Sequence, residues 1–121
     1  MNFQYEITQT ELGSLVIKLK PNSLIKGDYT PLELCLIADV GDYDFILMRI
    51  NDVLNGSKEI DTYGGDLTDA RFDKDITVIS YEELVISNPA KCTLPTWLFR
   101  EIVEVWLKEA KKHFEETHKA D

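Results

Sequence analysis

Apolar and polar side chains alternate with a period of two in the first two segments of the chain. Residues 3–8 place Phe3, Tyr5 and Ile7 on one side, and residues 15–20 repeat the alternation. This period is typical of strands with one buried face. The short connection between the two segments contains a glycine, so the pattern predicts an antiparallel hairpin.

The third apolar segment, residues 32–38, is almost entirely apolar and follows Pro31. A run of this kind fits either a buried strand or a short buried helix, and periodicity does not separate the two. The short length of the run favours a strand, which is the prediction adopted for it.

The next segment, residues 42–55, has the spacing of an amphipathic helix. Ile46, Ile50 and Val53 fall on one side of such a helix. An aspartate near its start can cap the free amides of the first turn. Gly56 follows it and suits the left-handed residue that often ends a helix.

Residues 59–81 have the pattern of a meander of short strands. The segments 60–63, 67–72 and 76–81 are separated by turn sequences rich in glycine and aspartate. In the last of these strands we expect Ile76 and Val78 to face the core. Residues 84–86 are expected to extend the same sheet.

The final element is the clearest helix in the chain. It opens at residues 93–95, with Pro95 in the first turn. Its apolar stripe includes Phe99, Ile102 and Trp106, which places Trp106 in the core. Residues 115–121 are expected to form a frayed tail.

These elements predict an α+β protein forming a single domain over residues 1–121. The expected architecture is one mostly antiparallel sheet of about five to six strands, with two amphipathic helices packed on one face. The predicted core consists of Tyr5, Ile7, Ile17, Leu19, Leu34, Leu36, Ile46, Ile50, Leu54, Ile76, Val78, Phe99, Ile102, Trp106 and Ala110.

Composition narrows the setting in which such a domain works. Apolar residues make up 44% of the 121 residues, which is ordinary for a globular protein. No run is long and apolar enough to span a bilayer, and the start of the chain has no signal-peptide pattern. Two cysteines, Cys35 and Cys92, make a poor disulfide framework. We therefore expect a cytoplasmic protein with reduced thiols.

Net charge is the most informative part of the composition. The chain carries 22 acidic and 13 basic residues, for a net charge of −9. Twelve of the acids and four of the bases lie between Asp39 and Glu83. A field of this sign repels nucleic acid and anionic membranes and attracts basic partners. Solubility alone would also account for it.

No motif in the sequence predicts catalysis, a metal site or a cofactor. His113 and His118 are five residues apart, whereas two histidines that share a metal on a helix are four apart. The aspartates of residues 66–75 do not follow the order of a calcium-binding loop, and turn formation explains them equally well. Gly64 and Gly65 lack the surroundings of a phosphate-binding loop. We therefore expect a binding protein rather than an enzyme.

A partner-binding surface is the functional hypothesis that the charge pattern favours. Tyrosines among carboxylates can grip lysine and arginine, although cross-strand packing is an equal alternative for Tyr63. Trp97 fits either an interface anchor or a lid over the sheet edge. The residues predicted to form the surface are Asp42, Asp44, Asp61, Asp66, Asp69, Asp73, Asp75, Tyr43 and Tyr63.

The layout resembles the immunity proteins of bacterial contact-dependent growth inhibition and related polymorphic toxin systems. The resemblance lies in size, acidity and layout. Four segments make up that layout: the N-terminal hairpin, the helix ending at residues 50–56 (INDVLNG), the meander to Tyr81, and the closing helix with LPTWLFREI at residues 94–102. It implies a cytoplasmic protein that binds a cognate toxin, often a basic nuclease, and blocks it. It assigns no individual residue a role.

Two other functions remain open at this level. A protein that binds a small molecule would carry a concave pocket with converging polar groups. A subunit of a homo-oligomer would use an edge strand or Trp97 at the contact between copies.

Overall fold

The computed structural model describes residues 2–41, 43–81 and 90–117 and confirms the α+β class. In that part of the chain the helices are α1 (Thr30–Leu34), α2 (Phe45–Leu54) and α3 (Thr96–Thr117). The strands are β1 (Tyr5–Gln9), β2 (Leu15–Leu19), β3 (Lys26–Gly27), β4 (Ile60–Gly64), β5 (Thr68–Asp73), β6 (Ile76–Tyr81) and β7 (Lys91–Pro95).

The strands form two antiparallel sheets rather than one. Strands β1 and β2 pair as the predicted hairpin, with Ile7 opposite Ile17. The other five strands form a second sheet in the order β3-β7-β6-β5-β4, so that β4 and β3 are its edges. Strand β3, only two residues long, pairs with β7 and was not predicted from the sequence.

The segment 32–38 is helical, so the predicted strand is wrong. Helix α1 opens with Pro31 in its first turn and continues as a π-helical segment, Cys35–Val40. Leu32, Cys35 and Leu36 are fully buried. Their spacing of three and four residues is that of one helix face. Neighbours on several sides of this short helix explain why its sequence is apolar almost throughout.

Helices α2 and α3 both pack against the larger sheet, as the sequence predicted. Ile46, Ile50 and Val53 of α2 point into the core, and Trp106 of α3 is buried with them. The Trp106 indole N–H donates to the carbonyl of Gly41 over 2.7 Å, which satisfies the polar end of the ring. Helix α3 runs to Thr117, so the first three residues of the predicted frayed tail are helical.

Strand β6 presents the opposite face from the one predicted. Thr77 and Ile79 are fully buried, whereas Ile76 is exposed and Val78 only partly covered. The buried Thr77 hydroxyl meets the Thr96 hydroxyl at 2.9 Å, so it carries no hydrogen-bonding penalty. A threonine whose hydroxyl is hydrogen-bonded can therefore occupy a core position. A prediction based on apolar residues alone places isoleucine there instead.

The start of the closing helix also differs from the prediction. Residues 93–95 end strand β7, where Pro95 lies opposite Ile76, and α3 begins only at Thr96. The predicted strand extension at 84–86 and the last four residues of the predicted tail lie outside the described residues.

Candidate functional site

Asp61 was predicted as a surface carboxylate, but it is one of the buried groups of the structure. It is only 8% exposed and lies on the covered side of β4. Arg49 of α2 binds it through both ends of the guanidinium, with Nε–Oδ2 and Nη2–Oδ1 distances of 3.0 and 2.8 Å. Lys58 adds an ion pair at 3.3 Å. This carboxylate links α2 to the edge strand β4 and is not exposed for contact with a partner.

The electrostatics of Asp61 agree with that role. The hydrogen bonds from Arg49, more than any other contact, lower the pKa of Asp61 to about 2. The group therefore stays ionised at every physiological pH.

Tyr63 was also predicted on the binding surface, and the structure places it elsewhere. It is half-buried on the covered side of β4, and its hydroxyl donates to the backbone carbonyl of Asp39 over 3.2 Å. Burial raises its pKa above the ordinary value. The alternative of a packing role describes Tyr63 better than exposure to a partner.

Asp39 proves to be a structural carboxylate that sequence analysis did not single out. It accepts hydrogen bonds from the backbone amides of Asp66 and Thr68, at 3.0 and 2.8 Å, and a short one from the Thr68 hydroxyl. These contacts hold the turn between β4 and β5. A Cβ on Gly65 would come within 2.1 Å of the Asp39 carboxylate carbon, so the turn needs glycine there.

The remaining predicted acids lie in two separate groups. Asp66 lies in the β4–β5 turn and Asp69 near the start of β5, whereas Asp73 and Asp75 lie at the β5–β6 turn. Strand β5 has six residues, so these two turns are about 20 Å apart at opposite ends of the sheet. The single continuous acidic face expected from the sequence is therefore wrong. Asp42 lies outside the described residues.

Asp73 also has a local role. Its carboxylate accepts hydrogen bonds from the amides of Asp75 and Ile76, both at 2.8 Å. The bond from Ile76 is the first cause of a lowered pKa for this group. Asp73 thus stabilises a turn, in the way that aspartates commonly do.

One surface combines an exposed acid with exposed apolar groups. It consists of Tyr43, Asp44, Phe45 and Met48, and we call it the α2 face. Tyr43, Phe45 and Met48 are 73%, 54% and 56% exposed. They account for three of the nine large apolar side chains that are exposed in the described residues. Apolar and aromatic groups that cluster on a surface commonly mark a binding site.

Helix geometry explains why the α2 face exists. The buried residues Ile46 and Ile50 turn one side of α2 to the core, which leaves Phe45 and Met48, three positions apart, on the opposite side. The Arg49 guanidinium carbon lies over the Phe45 ring, 6.0 Å from its centre, in the position of a cation–π contact. The signal was present in the sequence as apolar residues outside the helical stripe.

Two exposed acids adjoin the segment that leads into the α2 face. The Asp44 carboxylate is exposed, and its one ion pair within the described residues is a 3.8 Å contact with Lys111. Asp66 is exposed and forms no ion pair with a described residue. Both lie beside residues 39–40. The Asp39 carboxylate accepts a hydrogen bond from the Asp66 amide, and the amide of Tyr43, next to Asp44, donates to the carbonyl of Val40.

Neither cysteine is placed to act as a nucleophile. Cys35 and Cys92 are both fully buried, and burial raises the pKa of each thiol to about 12. Neither thiol is ionised near neutral pH, so both are poor nucleophiles. Within the described ranges, no group of three or more metal-ligating side chains converges.

A comparison of this chain with known protein families, curated sequences and solved structures finds no significant match. Over the described residues, no helix has the length and apolar character needed to cross a membrane. The features that bear on function are therefore the α+β fold, the charge of the chain and the α2 face.

Proposed function

We propose that this protein is an immunity-type inhibitor, which binds a cognate basic toxin of the nuclease class in the cytoplasm and neutralises it without catalysis. The observation that carries the proposal is the α2 face, where Tyr43, Phe45 and Met48 are exposed within six residues of one another beside Asp44. The resemblance in size, acidity and element order to immunity proteins supports the same conclusion.

The composition of the α2 face is that of a protein interface. Aromatic residues, methionine and arginine are enriched at the centre of such interfaces, and charged groups occupy the rim. On this surface Phe45 and Met48 form the apolar centre, and Asp44 and Arg49 border it. Burying two or three of these side chains against a partner would supply the well-packed anchors that dominate binding energy.

Net charge supplies the second half of the argument. A nuclease must present a positive surface to the phosphates of its substrate. A chain with a net charge of −9 attracts such a surface at long range, even though its acids are spread over several elements. Long-range attraction depends on the summed charge, whereas short-range fit depends on the α2 face.

A survival assay tests this proposal directly. The toxin candidate to be tested is the C-terminal domain of any large secreted protein that is encoded beside the gene for this chain. It is expressed from an inducible promoter in cells with and without this protein. We expect growth arrest without the chain and full growth with it. No toxic domain among the neighbouring genes, or arrest that the chain does not relieve, would contradict the proposal.

Paired variants connect the survival result to the α2 face. Phe45→Lys combined with Met48→Lys places two positive charges on the proposed contact surface and should abolish rescue. Leu12→Lys is the matched control, because Leu12 is 96% exposed in the β1–β2 turn, on a different part of the molecule. Circular dichroism and urea unfolding should show that all variants are folded. Equal rescue by both variants would remove the α2 face from the interface.

A further inference from the structure

Helices cover one face of the larger sheet, and the second face carries polar and charged side chains. The register aligns Asp69, Ser80 and Lys91 across β5, β6 and β7 on this second, open face. The adjacent row aligns Arg71 with Val78. Residues in adjacent strands of one row are about 5 Å apart, and successive rows on one face about 7 Å. These five side chains therefore form one neighbourhood.

A cavity of about 390 Å³ lies within this neighbourhood. Ser80 and Val78 of the central strand β6 form its floor. Asp69 and Arg71 of β5 line one side, and Lys91 of β7 lines the other. The volume falls in the range of small-ligand sites, and polar groups from three strands converge on it.

The charges of this cavity differ from those of the rest of the molecule. Arg71 and Lys91 are both exposed, and neither forms an ion pair with any carboxylate of the described residues. Arg49 and Lys58, by contrast, are both paired with Asp61. Two cations on one sheet face, without a carboxylate partner among the described residues, form a local site for an anion.

From this geometry we infer that the open face binds a small carboxylate that also carries a hydroxyl or amino group. Arg71 and Lys91 hold the carboxylate, since a guanidinium matches its two oxygens. The Ser80 hydroxyl donates to the same group from the floor. Asp69 accepts a hydrogen bond from the neighbouring hydroxyl or amine of the ligand.

Asp69 decides the class of ligand. A carboxylate in the site repels a second negative charge, so phosphate and sulfate fit less well than a singly charged acid. The net charge of −9 also disfavours ligands with more than one negative charge, and it excludes nucleic acid. Hydroxy acids and amino acids combine one negative group with a donor for Asp69. The site lies on the side of the sheet opposite α2, so it stands independently of the α2 face.

An NMR titration of the ¹⁵N-labelled full-length chain tests the inference. The probes are glycine and L-lactate, with acetate and sulfate as anions that lack the donor. We expect saturable shifts of the backbone amides of β5, β6 and β7 around the cavity, with half-saturation at or below roughly 10 mM. Absence of saturation for glycine and lactate, or equal affinity for acetate and sulfate, would overturn the inference.

Charge-matched variants assign the contacts. Arg71→Gln should weaken lactate binding at least about tenfold, the usual effect of losing a charge-assisted pair. Lys108→Gln removes the same charge from an exposed position on α3 and should leave binding unchanged. Asp69→Asn should weaken glycine and lactate but not acetate. Equal effects of Arg71→Gln and Lys108→Gln would show that only the net charge matters and would overturn the site.

Discussion

The ion pair between Asp61 and Arg49 gives the sharpest test of how this fold is held together. We predict that Asp61→Asn destabilises the protein by about 2 kcal/mol at neutral pH. Asparagine has nearly the same shape and can still accept the hydrogen bond from the amide of Thr62, so the change removes chiefly the charge. Arg49 would then face a neutral amide at the junction of α2 and β4.

The magnitude follows from two independent arguments. A pKa lowered from 3.8 to about 2 corresponds to roughly 2.5 kcal/mol of folding stability, at 1.36 kcal/mol per pKa unit. Removing one partner of a fully buried pair costs about 3–5 kcal/mol. The Arg49 side chain is 32% exposed and can be rehydrated, so solvent screening brings both values down. About 2 kcal/mol is the result.

The stability that Asp61 contributes should depend on pH in a definite direction. The pKa of Asp61 is lower in the folded than in the unfolded state, so the stability that it contributes is complete above about pH 4. That contribution is lost as the pH falls from 4 towards 2, where the folded-state carboxyl takes up its proton. The difference between the wild-type protein and Asp61→Asn should therefore be full at pH 7 and small at pH 2.

Urea unfolding at pH 7 and pH 2 measures both quantities. Asp66→Asn is the control, because Asp66 is exposed and has no ion pair with a described residue, so the change should alter stability by less than about 0.5 kcal/mol. A double-mutant cycle with Arg49→Gln should return most of the loss as coupling energy. If Asp61→Asn costs no more than Asp66→Asn, or costs the same at both pH values, the reasoning is refuted.

Two further predictions concern buried contacts. Gly65→Ala should lower the free energy of unfolding in urea by about 1–3 kcal/mol, because its Cβ would displace the Asp39 carboxylate. Gly64→Ala is the control and should lower it less, since a Cβ there has only a 3.5 Å contact with a side chain. Equal losses for the two variants would contradict this account. Cys35 and Cys92 should not react with a thiol reagent at pH 8 in the native protein but should both react in urea, since burial raises the pKa of each to about 12. Rapid native labelling of either would show that its burial is incomplete.

The elements that follow one periodic pattern could be predicted from the sequence. The stripe of Ile46, Ile50 and Val53 predicts α2, since a helix with one apolar side has a single way to face a core. The hairpin of β1 and β2 follows from the period of two in the same way. Local pattern and tertiary packing agree in these elements.

The elements whose local sequence fits two patterns equally well could not be predicted. In β6 both alternating sets contain apolar residues, and the choice depends on Thr96, which pairs with Thr77 from 19 residues away. In the segment 32–38 a fully covered helix and a buried strand have the same composition. No local signal separates these alternatives, because the deciding contacts are long-range.

The charge pattern failed for a related reason. Sequence shows that a residue is acidic but not which donor it meets. Asp61 binds Arg49, which is 12 positions away in the sequence. Asp39 binds the turn amides of Asp66 and Thr68, although the whole of α2 separates them in the sequence. Asp61 was predicted for the partner surface, but its hydrogen-bonding capacity is already used inside the protein, as is that of Asp39.

The acidic residues therefore serve two separate purposes, and the distinction shapes the proposed inhibitor. Asp39, Asp61 and Asp73 are bound to amides or to a guanidinium, so they stabilise turns and helix packing and have little left to offer a toxin. Exposed acids such as Asp44 and Asp66 keep their fields in solvent. Those fields act mainly on the rate of encounter with a basic partner, and added salt weakens them. How long the complex then lasts depends on how well the apolar centre of the α2 face is buried. Acidity alone would produce fast association with many basic proteins, so discrimination among them must come from the shape of that apolar centre.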